Sequence, residues 1–181
     1  MAQKMMLELE HDRPEDARAL CAPLAEIASK MNKNSEAAVA AALAVLVERA
    51  AADAGTALRL EEAIRGLVAA DTKAMLAYVL NTAAAQDLAA GDLAAAEDRA
   101  QAALTAAAVV GRLSEIAVAR SLLGRAALAR GDAAPAKAHL EALGDDRKHA
   151  LALSWRAAAA ASALAETLTQ ASKPGSRSRR P

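Results

Sequence analysis

Leu88–Glu97 reads LAAGDLAAAE, and forty residues later Leu128–Lys137 reads LARGDAAPAK. In both, an apolar helical run meets Gly-Asp and an alanine-rich run restarts. Glycine enters left-handed backbone without a steric cost and so ends a helix. An aspartate directly after it can accept from the free N–H groups of the next helix. A stop and a start this close fold the chain back, so the flanking helices lie antiparallel. The joint predicts a helical hairpin. Its return at a fixed interval predicts a stack in which each hairpin buries its apolar face against the next.

Composition extends this to the whole chain. Of 181 residues, 56 are alanine, Phe is absent, and Tyr78 and Trp155 are the only aromatics. Alanine loses no side-chain entropy in a helix, and residues that favour strands are scarce. The fold class is all-α. A buried alanine contributes less than a leucine, which is worth roughly 1.5–3 kcal/mol when fully buried. It instead lets helix backbones approach closely, which predicts thin, tightly packed layers.

Caps, apolar stripes and glycine stops predict about eight helices. Asp12 caps a first helix with Pro14 in its opening turn and a stripe of Ala17, Leu20, Cys21, Leu24, Ile27 and Met31. Ser35 caps a second, carrying Leu43, Leu46 and Val47, and Gly55 closes it. A third carries Leu58, Leu60, Ile64, Leu67 and Val68. Asp71 or Thr72 caps a fourth, which Gly91 ends. Asp92 opens the fifth and Gly111 closes it; the sixth runs from about Leu113 to Arg130. Gly131-Asp132 starts the seventh, with Pro135 in its first turn. Gly144 stops that helix, and Asp145 or Asp146 caps an eighth reaching about Ala171. The expected organisation is one domain over 1–172, with N-terminal helices (12–70) as a divergent repeat or cap and the clear repeats over 72–171. A disordered basic tail, 173–181, follows.

That tail holds Lys173, Arg177, Arg179 and Arg180 and no acid, while the chain as a whole sums to zero charge. The body is therefore mildly acidic, which argues against a nucleic-acid binder. Weak contact of the tail with nucleic acid is the exception, and a solubilising end is the simpler reading. Cys21 stands alone, which suits a reducing, cytoplasmic setting. The longest apolar run, Ala37–Val47, is 11 residues, too short to span a membrane. No cofactor or metal is expected, because His11, His139 and His149 lack ligand spacing and no nucleophile–base constellation is visible. Cys21 lies on an apolar stripe and reads as an inert core residue.

The repeated segments resemble the tetratricopeptide repeat. LLGRAALARGDAAPAKAHLEAL supplies Leu123 and Gly124, Gly131-Asp132, then Ala136 and Leu140; NTAAAQDLAAGDLAAAEDRAQAAL supplies Ala83 and Ala84, Gly91-Asp92, Ala96 and Ala100. The resemblance covers about Met75–Ser162. Asp87 and Ala127 stand where that family usually has a Tyr, the proline expected after the second helix is missing, and the interval is forty residues rather than about thirty-four. Longer repeats of this sort resemble those of bacterial regulatory proteins. The resemblance implies a short right-handed α-solenoid whose first helices line a groove for a peptide or partner helix. Carried over by position, the groove candidates are Tyr78, Asn81, Ala85 and Leu88, then Val118, Ser121, Arg125 and Leu128, then Ala152, Trp155, Ala159 and Ser162. Tyr78, Asn81, Leu88, Ser121, Arg125 and Trp155 form the expected partner-binding set. The competing reading puts both aromatic rings in the core and the polar groups on a solvated face.

The expected function is a non-enzymatic interaction module, an adaptor for a peptide or protein segment. The alternative is a regulatory or assembly subunit that self-associates through alanine-rich faces, as a homo-oligomer. An all-helical enzyme ranks last.

Overall fold

A computed structural model of the chain describes residues 1–31, 34–150 and 154–172, with 144–150 described by their backbone alone. These residues form α1 (Ala2–Glu10), α2 (Pro14–Arg18), α3 (Cys21–Met31), α4 (Asn34–Ala50), α5 (Thr56–Ala69), α6 (Lys73–Ala90), α7 (Leu93–Val109), α8 (Leu113–Ala129), α9 (Ala133–Ala150) and α10 (Trp155–Ala171), and no strand. The tail lies outside the described residues.

The two Gly-Asp joints work by the local chemistry that their sequence dictates. Gly91 and Gly131 take φ of 84° and 85°, in the left-handed region. Asp92 Oδ1 accepts from the Ala95 N–H at 3.1 Å and Asp132 Oδ1 from the Ala134 N–H at 3.2 Å. Consecutive helices pack on each other, α6 on α7 and α8 on α9 across these joints, and α7 on α8 and α9 on α10 besides. Every second helix also touches: α4 meets α6, α6 meets α8, and α8 meets α10.

Two kinds of core result. Around α4 and α5 it is built of large side chains, with Leu43, Leu46, Leu60 and Leu67 fully buried beside Met5 and Val47. From α6 onward it is mostly alanine: Ala77, Ala100, Ala103, Ala107, Ala119 and Ala136 are fully buried. Close approach is most evident at Gly124, where an added Cβ would lie 2.7 Å from Leu164 Cδ1.

Several expected boundaries move. The sequence ahead of Asp12 forms α1, whose Met5 is buried with Ala2, Met6 and Leu9 packed nearby. Asp12 is not a helix cap; it takes φ 55° in the turn, and Arg13 precedes α2. The first expected helix is broken at Ala19-Leu20 into α2 and α3. Ser35 lies inside α4, and Gly55 (φ 71°) sits at the start of α5 instead of closing α4. Leu58 and Val68 face solvent, so α5 buries only part of its expected stripe. Gly144 does not stop α9, and neither Asp145 nor Asp146 opens the last helix; Ser154 does, its Oγ accepting from the Ala157 N–H. A glycine costs a helix interior only about 1 kcal/mol, so it does not end one by itself.

Candidate functional site

The N-terminal halves of α6, α8 and α10 meet in a polar cluster. Arg156, just inside α10, donates from Nη1 to Glu115 Oε1 and Oε2 at 2.8 and 2.9 Å and from Nη2 to Thr82 Oγ1 at 3.2 Å. Its guanidinium carbon lies 4.6 Å from the centroid of the Tyr78 ring. Asn81 Nδ2 donates to the Glu115 carbonyl and to Glu115 Oε2, both at 2.9 Å. The end of α1 joins the cluster: Glu10 Oε1 is 3.8 Å from Arg156 Nε, and the Tyr78 hydroxyl donates to the Met6 carbonyl at 3.3 Å. The His11 and Trp155 rings lie 5.1 Å apart. Burial pushes the Tyr78 hydroxyl far above the ordinary phenol range, and burial raises Glu10 against the opposing pull of Arg156. The Tyr78 hydroxyl therefore stays protonated near neutrality.

At the other end of the same helices, Leu88, Arg125, Leu128, Ala129, Thr167 and Gln170 line an open cavity of about 400 Å³. Since α6, α8 and α10 meet at both ends in this order, the three run in the same direction. Arg125 is partly exposed in this cavity and makes no ion pair with any described residue.

The six expected groove residues therefore separate. Tyr78, Asn81 and Ser121 are buried, and Ser121 donates to the Ala117 carbonyl at 2.9 Å. Tyr78 and Asn81 tie helices together and Ser121 bonds within α8, so none of the three stands on the open face expected of it. Leu88 and Arg125 share the cavity, joined there by Leu128. Trp155 is half exposed at the opposite end, beside His11. Of the two aromatic rings, only Tyr78 belongs to the core. Val118 is buried too, Ala85, Ala159 and Ser162 are exposed, and Ala152 lies outside the described residues.

A second polar node has no counterpart in the sequence reading. Asp87 is buried between arginines from two helices, accepting from Arg49 Nη2 of α4 at 2.6 Å and from Arg99 Nη1 of α7. Arg99 Nη2 also donates to Glu61 Oε1 of α5 at 2.9 Å. Asp87 thus clamps α4, α6 and α7. Its signal was available: an acid among alanines on a buried helix face needs a cationic partner.

Among the described residues, no three His, Cys, Asp or Glu side chains gather as a metal site. No described helix is long and apolar enough to cross a membrane. Burial raises the Cys21 thiol above its ordinary value, and its Sγ points to the Ala17 carbonyl at 3.8 Å, which keeps it a poor nucleophile. No family model matches the chain, and no curated protein or solved structure does either.

Proposed function

We propose that this chain is a non-enzymatic interaction module, built as a short tetratricopeptide-like stack of hairpins, that takes a protein segment against the C-terminal ends of α6, α8 and α10. One observation carries the reading: an open cavity shared by three helices, with apolar walls from Leu88 and Leu128 and an arginine, Arg125, that has no ion-pair partner among the described residues. Apolar surface supplies affinity, and arginine supplies orientation by pairing a carboxylate. The contacts of α4, α6, α8 and α10 in succession support the stacked reading, as do the common direction of the last three and the two Gly-Asp joints. A cytoplasmic setting, expected from the lone cysteine, belongs to the same proposal.

The test is the pair Arg125→Glu and Leu128→Asp, compared with wild type in cross-linked capture from the source cells. Arg125→Glu should keep wild-type helicity and melting temperature. Leu128→Asp, which also touches the core, should keep wild-type helicity but melt lower, and both should lose the captured protein. Undiminished capture would remove this face from the account. Light scattering on the purified chain addresses the self-associating alternative, for which a stable dimer that both variants disrupt is the required result.

A further inference from the structure

Resting on that reading, we infer that the chain has a second docking point, for an acidic amphipathic helix of a partner protein, in the cavity between α1, α4, the start of α6 and the end of α7. This cavity, about 640 Å³, is lined by Met6, Val39, Met75 and the side of Tyr78. Its lip is Val109 and Val110, which are 65% and 43% exposed. Two adjacent bulky side chains left in water beside an apolar hollow are not accounted for by the packing of α7, and such patches mark interaction surfaces. The two flexible thioethers make walls that adjust to incoming side chains.

Charge specifies the occupant. Lys73 at the mouth is already paired with Asp71. Arg112, on the same rim, precedes α8 exposed and has no ion pair with any described residue. The hollow thus offers apolar floor, apolar lip and one unspent cation. A helix with leucines at i, i+3 and i+4 and a glutamate beside them satisfies all three. A small acyl carboxylate would fill the floor but leave Val109 and Val110 in water, so the observations favour the longer partner.

The experiment uses the full chain with labelled methionine methyls. Met6 and Met75 line the cavity, and Met31 lies outside its lining. Two synthetic 14-residue amphipathic peptides serve as probes, one of Leu and Glu and one of Leu and Lys, with decanoate as a third. The Leu/Glu peptide should shift the Met6 and Met75 resonances saturably and leave Met31 in place. The Leu/Lys peptide should bind at least tenfold more weakly, and Arg112→Glu should reverse that order. Val109→Ser should weaken the Leu/Glu peptide without altering the melting temperature. The proposal is overturned if Met6 and Met75 do not respond, if Arg112→Glu leaves the order unchanged, or if decanoate binds as tightly as the peptide. Leucine methyls read in the same titration separate the two claims. Shifts at Leu88 and Leu128 alone would overturn this second site and leave the first reading standing. Shifts at Met6 and Met75, with capture undiminished by Arg125→Glu, would do the reverse.

Discussion

Arg156→Ala is the most informative single change, because one side chain joins α10 to α6, α8 and the end of α1. The Arg156 side chain is 15% exposed and that of Glu115 is 8%. Removing the arginine leaves the Glu115 carboxylate buried with Asn81 as its remaining side-chain donor. Breaking a buried pair from one side costs about 3–5 kcal/mol. Arg156 keeps some solvent access, so the lower end applies, about 3 kcal/mol. For a chain of this length, 1 kcal/mol moves the melting temperature by about 2–4 °C, so the variant should melt roughly 6–12 °C lower. Urea unfolding followed by circular dichroism gives the free energy. A cycle with Glu115→Gln isolates the pair, and the double variant should be less destabilised than the sum of the singles. A loss below about 1 kcal/mol, or strict additivity, would show that the cluster is a solvated surface pairing and that α10 is held by apolar contact alone.

Asp87→Ala removes the buried carboxylate shared by Arg49 and Arg99, leaving Arg49 on Gln86 and Arg99 on Glu61, and should cost at most about 3 kcal/mol, read in urea. Gly66→Ala should stabilise by about 0.5–1 kcal/mol, since the new Cβ meets Ala38 at an ordinary 3.7 Å. Gly124→Ala gains the same propensity but drives a Cβ into buried Leu164, so overpacking of about 1–3 kcal/mol should leave it no more stable than wild type. Burial, and then the charge of Arg120, lowers the pKa of His139. The unfolded chain therefore binds that proton more tightly, and stability should fall as pH drops through about 6.5 towards the folded value. His139→Gln should flatten that limb of a pH series of melting temperatures. Glu10 shifts the other way, so its contribution is complete below about pH 4.3 and is lost as pH rises through its folded value. Glu10→Gln should remove that dependence.

What the sequence revealed was local chemistry. Gly91-Asp92 and Gly131-Asp132 were legible because a left-handed glycine and an accepting aspartate do their work within three residues. Gly144-Asp145 looks similar and is continuous helix, because the spelling permits a joint without requiring one. The N-terminal helix was missed although Ala2, Met5, Met6 and Leu9 already carry helical spacing. Its acids, Glu8 and Glu10, masked the stripe, and both find arginines in the fold. Long-range pairing was out of reach: Glu115 and Arg156 are 41 residues apart, and nothing near either names the other. Of the expected binding set, Leu88 and Arg125 meet at one cavity, Tyr78, Asn81 and Ser121 are buried, and Trp155 is half exposed at the other end; helical period alone does not tell these places apart.

The central claim is that the open end of α6, α8 and α10 receives a partner. Site-specific photo-cross-linking tests it most directly, with the photoreactive residue at position 128 in the cavity or at the exposed position 105 on α7. The account predicts a discrete adduct with another protein from position 128, abolished by Arg125→Glu, and none from position 105. Equal adducts from both positions, or adducts only between copies of this chain, would contradict it.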